Sequence, residues 1–94
     1  MNPVMLENIR HQFPWAHYVR ESVHVTDVSM TIWFEVSHDG QAWIDLQTLQ
    51  AHRPVWGELL VPTAEEIAAW TRESMKVLVE TLRSGARHVR HDCC

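Results

Sequence analysis

The stretch VSMTIWFEVSHDGQAWIDL, Val28 to Leu46, decides the fold. Val28, Met30, Ile32, Phe34 and Val36 take every second position, with Ser29, Thr31, Trp33, Glu35 and Ser37 between them. Successive side chains leave opposite faces of a strand, so a period of two in a run rich in β-branched and aromatic residues predicts a half-buried strand. The alternation resumes after His38-Asp39-Gly40 with Ala42, Ile44 and Leu46. A two-residue Asp-Gly loop would set Phe34 against Asp45 and mix apolar and charged residues on one face. A three-residue loop, His38-Asp39-Gly40, sets Val36 against Ala42, Phe34 against Ile44 and Ile32 against Leu46. Gly40 then supplies the left-handed conformation such a loop needs. The prediction is an antiparallel hairpin whose Met30-Ile32-Phe34-Val36 side faces the core.

That register makes Trp33 and Trp43 diagonal neighbours on the opposite side, which Glu35 and Asp45 share. Either another part of the chain covers the two indoles, or they form a patch for a partner or a second copy, because Trp is enriched at interface hot spots.

Toward the N-terminus, Asn2-Pro3 reads as a helix start, with Asn as cap and Pro at the first helical position. Leu6, Ile9 and Phe13 follow at helical spacing, and Phe13-Pro14 ends the run. Residues 14–22 show no clear period. Val23 and Val25 alternate on the opposite parity to Val28, so Thr26-Asp27 marks a bulge or a break. One long bulged strand from about Val23 to Val36 is the favoured reading.

Toward the C-terminus, Gln47 to Gln50 either continue the second strand or form a helical turn. Arg53-Pro54 breaks the chain, and Trp56 to Val61 suits a short third strand weakened by Gly57. Thr63-x-x-Glu66 is a capping box that opens a helix to about Ser84, with Gly85 as its stop. Ala64, Ile67, Ala68, Thr71, Met75, Leu78, Val79 and Leu82 share one arc, the expected core stripe. Trp70 and Val77 lie off that arc, either touching the N-terminal helix at the core edge or forming a seam for another chain. Residues 86–94 read as a flexible basic tail. The fold class is α+β in one domain, residues 1–94. A short N-terminal helix and an antiparallel hairpin or three-stranded meander precede a long amphipathic helix packed on one sheet face.

The 94 residues, 46% of them apolar, suffice for one core. A net charge of −4 argues against nucleic acid, whose binding rests on phosphate neutralisation. No apolar run reaches the length of a membrane span, and the N-terminus lacks the basic start and apolar stretch of a secretory signal. The only two cysteines, Cys93 and Cys94, are adjacent, so no disulfide framework exists and the chain reads as cytosolic.

Among chemistry-bearing residues, His88, His91 and Cys93 form the one candidate cluster for Zn²⁺. Closed zinc sites usually draw ligands from two separated segments, and no second cluster exists. Ser37-His38-Asp39 has the letters of a hydrolase triad, but consecutive turn residues cannot converge as nucleophile, base and orienter. No cofactor is expected. The expected function is a small non-enzymatic interaction domain, an inhibitor or regulator of a larger protein partner or a self-associating homodimer. Its partner-binding residues would be Trp33, Trp43, Glu35, Asp45, Trp70 and Val77. Size and slight acidity suit a phage- or plasmid-borne inhibitor, and a metal-responsive regulator using the His/Cys tail is the alternative.

Overall fold

The computed structural model describes residues 2–52 and 61–93. Helix α1 spans Pro3–Gln12, followed by strands β1 (Tyr18–Val25), β2 (Met30–Ser37) and β3 (Ile44–Asp45). Helices α2 (Leu46–His52) and α3 (Ala64–Arg83) precede strand β4 (Arg87–Cys93). The strands form one antiparallel sheet in the order β3-β2-β1-β4. The α+β class and the element order follow the sequence, and the helix caps do so residue by residue. Asn2 Oδ1 accepts the Val4 N–H at 2.8 Å. Thr63 and Glu66 exchange both capping-box bonds, at 3.1 and 3.2 Å. Gly85 follows α3 with φ +91, a conformation that costs Gly little.

The parity switch at Thr26-Asp27 is a chain reversal, not a bulge. Thr26 Oγ1 accepts the N–H groups of Val28 and Ser29, and β1 folds back on β2 with Val25 facing Met30 and Val19 facing Val36. A side chain that satisfies two backbone donors stabilises a tight turn where a continuous strand was expected. Val28, the expected start of the inward row, is 95% exposed at the turn.

The second hairpin keeps its predicted parity but slips by two residues. Val36 faces Ile44, not Ala42, and Glu35 faces Asp45. Asp39 causes the slip: its Oδ1 accepts N–H bonds from Gln41 and Ala42 at 2.8 and 3.1 Å and one from Ser37 Oγ at 3.1 Å. These bonds consume residues that a three-residue loop would have placed in the ladder. Two of them also hold the Asp39 carboxyl below its ordinary pKa. The strand then ends early, because Asp45 caps α2 by accepting from the Thr48 N–H at 2.9 Å and Thr48 Oγ1 at 2.7 Å.

Residues 87–93, expected as part of a flexible tail, are paired in the sheet. Arg87–Cys93 form β4, which pairs with β1 along its length. The expected third strand at Trp56 to Val61 lies outside the described residues, apart from Val61, which is not in a strand.

The sheet has two unlike faces. The first carries Val19, Val23, Val25, Met30, Ile32, Phe34, Val36, Ile44 and Val89 in register, with Glu21 between Val19 and Val23 and Arg87 beside Val25. At one end of it, Val19, Val36 and Ile44 join Ile9, Phe13, Trp15, Leu49 and Trp70 in the core. Fully burying each large member contributes about 1.5–3 kcal/mol. The second face carries Arg20, Ser22, His24, Trp33, Glu35, Asp45, His88 and Arg90. Helix α3 packs along β3 at the border of the two faces: Trp70 and Ile67 join the core of the first, while Ser74 Oγ donates to Asp45 Oδ2 at 2.6 Å and accepts the Asp45 N–H at 3.1 Å on the second. The buried stripe of α3 is rotated accordingly. Trp70 and Ser74 are buried, whereas Met75, Val79 and Leu82 of the expected stripe are exposed.

Candidate functional site

The uncovered part of the first face is the most unusual surface of the molecule. Cross-strand register lines up Val89, Val23 and Ile32 in one row and Arg87, Val25 and Met30 in the next. Met30 is 65%, Ile32 48% and Val89 46% exposed. Helices α1 and α2 gather at the other end of the sheet, where Ile9, Phe13 and Leu49 close over Val19 and Val36. Contiguous apolar surface left in water marks an interaction site more often than isolated apolar residues do.

The same rows end at an open strand edge. Thr26 N–H donates to the Ser29 carbonyl at 2.9 Å, continuing the β1–β2 register by one pair. Antiparallel ladders alternate hydrogen-bonded and non-hydrogen-bonded pairs. The bonded pairs are therefore His24 with Thr31, Ser22 with Trp33 and Arg20 with Glu35. Met30, Ile32 and Phe34 turn their N–H and C=O groups the other way, away from β1. On that side β3 covers only Glu35 and Val36, so among the described residues no strand pairs with Met30 to Phe34. A cleft of about 370 Å³ runs along this edge, walled by Ile32, Phe34, Leu46, Val77 and Leu78, with Gln47 and Gln50 of α2 at one side and the buried Glu35 and Asp45 also in its lining.

The second face is polar, and its Ser22, His24, Glu35 and Asp45 are buried. Glu35 Oε1 accepts from Arg20 Nε and Arg90 Nε, each at 3.2 Å, and the Arg20 guanidinium lies 3.8 Å from the Trp43 ring centroid. Two cations around one buried carboxylate satisfy its charge, so removing Glu35 would leave the arginines repelling each other. Beyond them, His24 packs between Trp33 and His88, with ring centroids 3.5 and 4.3 Å away. Burial lowers the pKa of both histidines, that of His88 to about 4, with help from Arg90 and from the neighbouring His24. Ser22 Oγ is hydrogen-bonded to His88 Nε2. This pairing has the composition of a nucleophile and its base, and Ser22 is fully buried.

The residues singled out from the sequence are scattered by these elements. Trp33 and Trp43 do not form one patch: the two-residue slip moves Trp43 away along β2, where it lies under Arg20 while Trp33 stacks on His24. Glu35 and Asp45 are buried and bonded within the chain. Trp70 belongs to the core and stacks on His52, centroids 5.4 Å apart, so it is no seam for another chain. Val77 is exposed at the cleft wall. His88 and His91 take positions of opposite parity on β4, where alternate residues belong to opposite faces. Among the described residues no three His, Cys, Asp or Glu groups are placed to hold a metal.

Sequence reasoning missed His24 and Arg20 altogether, and Arg90 stands out in the sequence only as one of a local basic stretch, Arg83, Arg87, His88, Arg90 and His91. The available signal was the parity of Val23 and Val25: once Thr26-Asp27 is read as a turn, His24 falls beside Trp33. Among the described residues no helix is long and apolar enough to cross a membrane. No protein-family model, no curated protein and no solved structure matches this chain, so its function is read from its own chemistry.

Proposed function

We propose that this chain is a small non-enzymatic interaction domain that inhibits or regulates a larger protein partner. One observation carries the reading: Met30, Ile32 and Val89 stand exposed, with the half-buried Val23 and Val25 between them, on a sheet whose polar residues Ser22, His24, Glu35 and Asp45 are buried. A chain serving only its own stability would bury the apolar face first, because that burial is the dominant favourable contribution to folding. The apolar rows also favour a protein over a nucleic acid as partner, since phosphate contacts need exposed cations.

The test compares the wild type with Val23→Lys/Val89→Lys in reducing buffer. Light scattering gives the mass, and quantitative capture from a native lysate gives the partner. The double variant should keep its far-UV circular dichroism and lose captured protein at least tenfold. Undiminished capture by the variant, or a wild type that captures nothing and stays at 11.0 kDa at every concentration, would overturn the reading.

A further inference from the structure

We propose that the edge of β2 left unpaired among the described residues is a strand-addition site. An extended, uncharged segment of the partner pairs with the outward backbone groups of Met30, Ile32 and Phe34 and seats apolar side chains in the cleft beside α3. The inference rests on the interaction reading and specifies how the partner is held.

Three features of the edge converge on this occupant. Its backbone donors and acceptors alternate at the spacing of a strand, which only another extended backbone can match. Its flank is Met-Thr-Ile-Trp-Phe, residues 30–34, with no charge and no proline. The sheet's other edge, β4, carries Arg87, Arg90 and Asp92 instead. Charged residues on an edge strand discourage pairing with foreign strands, and β2 lacks that protection where β4 has it. Finally, the cleft has the size of a ligand site, about 370 Å³, and its walls are mainly apolar. It holds three or four residues of a strand rising about 3.3 Å each.

The probe is a phage-displayed library of linear heptapeptides selected on the wild-type chain. Enriched sequences should be uncharged, with β-branched or aromatic residues at alternate positions. A synthetic peptide of the enriched sequence should slow hydrogen exchange of the Ile32 and Phe34 amides at least tenfold. Ile32→Pro removes an outward N–H but no β1–β2 ladder bond, and should weaken that peptide about tenfold or more. Equal binding by Ile32→Pro together with unchanged amide exchange would overturn the proposal. If Val23→Lys/Val89→Lys alone abolishes binding in that case, the interaction reading survives and only the edge is lost. If no peptide is enriched, the edge proposal falls, while lysate capture decides the interaction reading separately. A wild-type mass of twice 11.0 kDa that Ile32→Pro returns to monomer would assign the edge to a second copy and overturn the foreign segment.

Discussion

The two ends of the β1–β2 ladder have the same kind of sequence and opposite environments. At one end Val19 and Val36 face each other under Phe13, Leu49 and the β3 strand, with almost no solvent exposure. At the other, Val23 and Ile32 face each other in the same register with nothing described above them. Valine and isoleucine gain the same free energy from burial wherever they stand, so the difference comes from the elements that arrive. Helices α1 and α2 reach only the first end. Among the described residues that second end is left uncovered.

The sharpest way to test that contrast is to remove the same kind of side chain at each end. Ile44→Ala at the closed end should lower stability by about 2–5 kcal/mol in urea unfolding, because it leaves a cavity. Ile32→Ala at the open end should cost no more than about 0.5 kcal/mol, as for other surface changes. Equal losses would mean that the open rows are covered in solution.

The closed end also depends on Asp45, which ties β3, α2 and α3 together. Asp45→Ala should cost about 1–3 kcal/mol, by leaving Ser74 and Thr48 without their acceptor. Thermal unfolding would detect this as a lower midpoint, and an unchanged midpoint would remove Asp45 from its role as tie.

A third measurement addresses pH. His24 and His88 hold depressed pKa values in the folded chain, His88 at about 4, against about 6.5 when unfolded. Between those values the unfolded chain binds more protons than the folded one, so stability should fall as pH drops from 6.5 toward 4. His88→Gln should make the slope shallower. A urea midpoint that stays flat over this range would show that the histidines titrate normally. The smallest effect is expected at the turn, where Val28→Asn should change stability by no more than about 0.5 kcal/mol.

How much of this was legible in the sequence follows from range. Local signals were read correctly: Asn2-Pro3, the Thr63/Glu66 box, Gly85 and the alternation from Met30 to Val36 all act within a few residues. The hairpin slip was locally encoded but harder to see, since it depends on Asp39 accepting three hydrogen bonds that no period reveals. The candidate site was read poorly. Trp70 looked misplaced on a helical wheel because the wheel was centred on the wrong stripe. Val77 alone of the six proposed partner residues stands exposed beside the cleft.

The chain's own letters determined an α+β fold, its helix boundaries and the parity of its strands, because each rests on backbone geometry and nearest neighbours. Tertiary structure alone decided how α3 would settle along β3, that residues 87–93 would pair with β1, and that among the described residues β2 would keep an unpaired edge. Those outcomes hinge on contacts such as Ser74 with Asp45, 29 positions apart, and Arg90 with Glu35, 55 apart. A hydrogen bond across such a separation forms only after the chain has closed a long loop, and no local pattern records which donor will meet which acceptor.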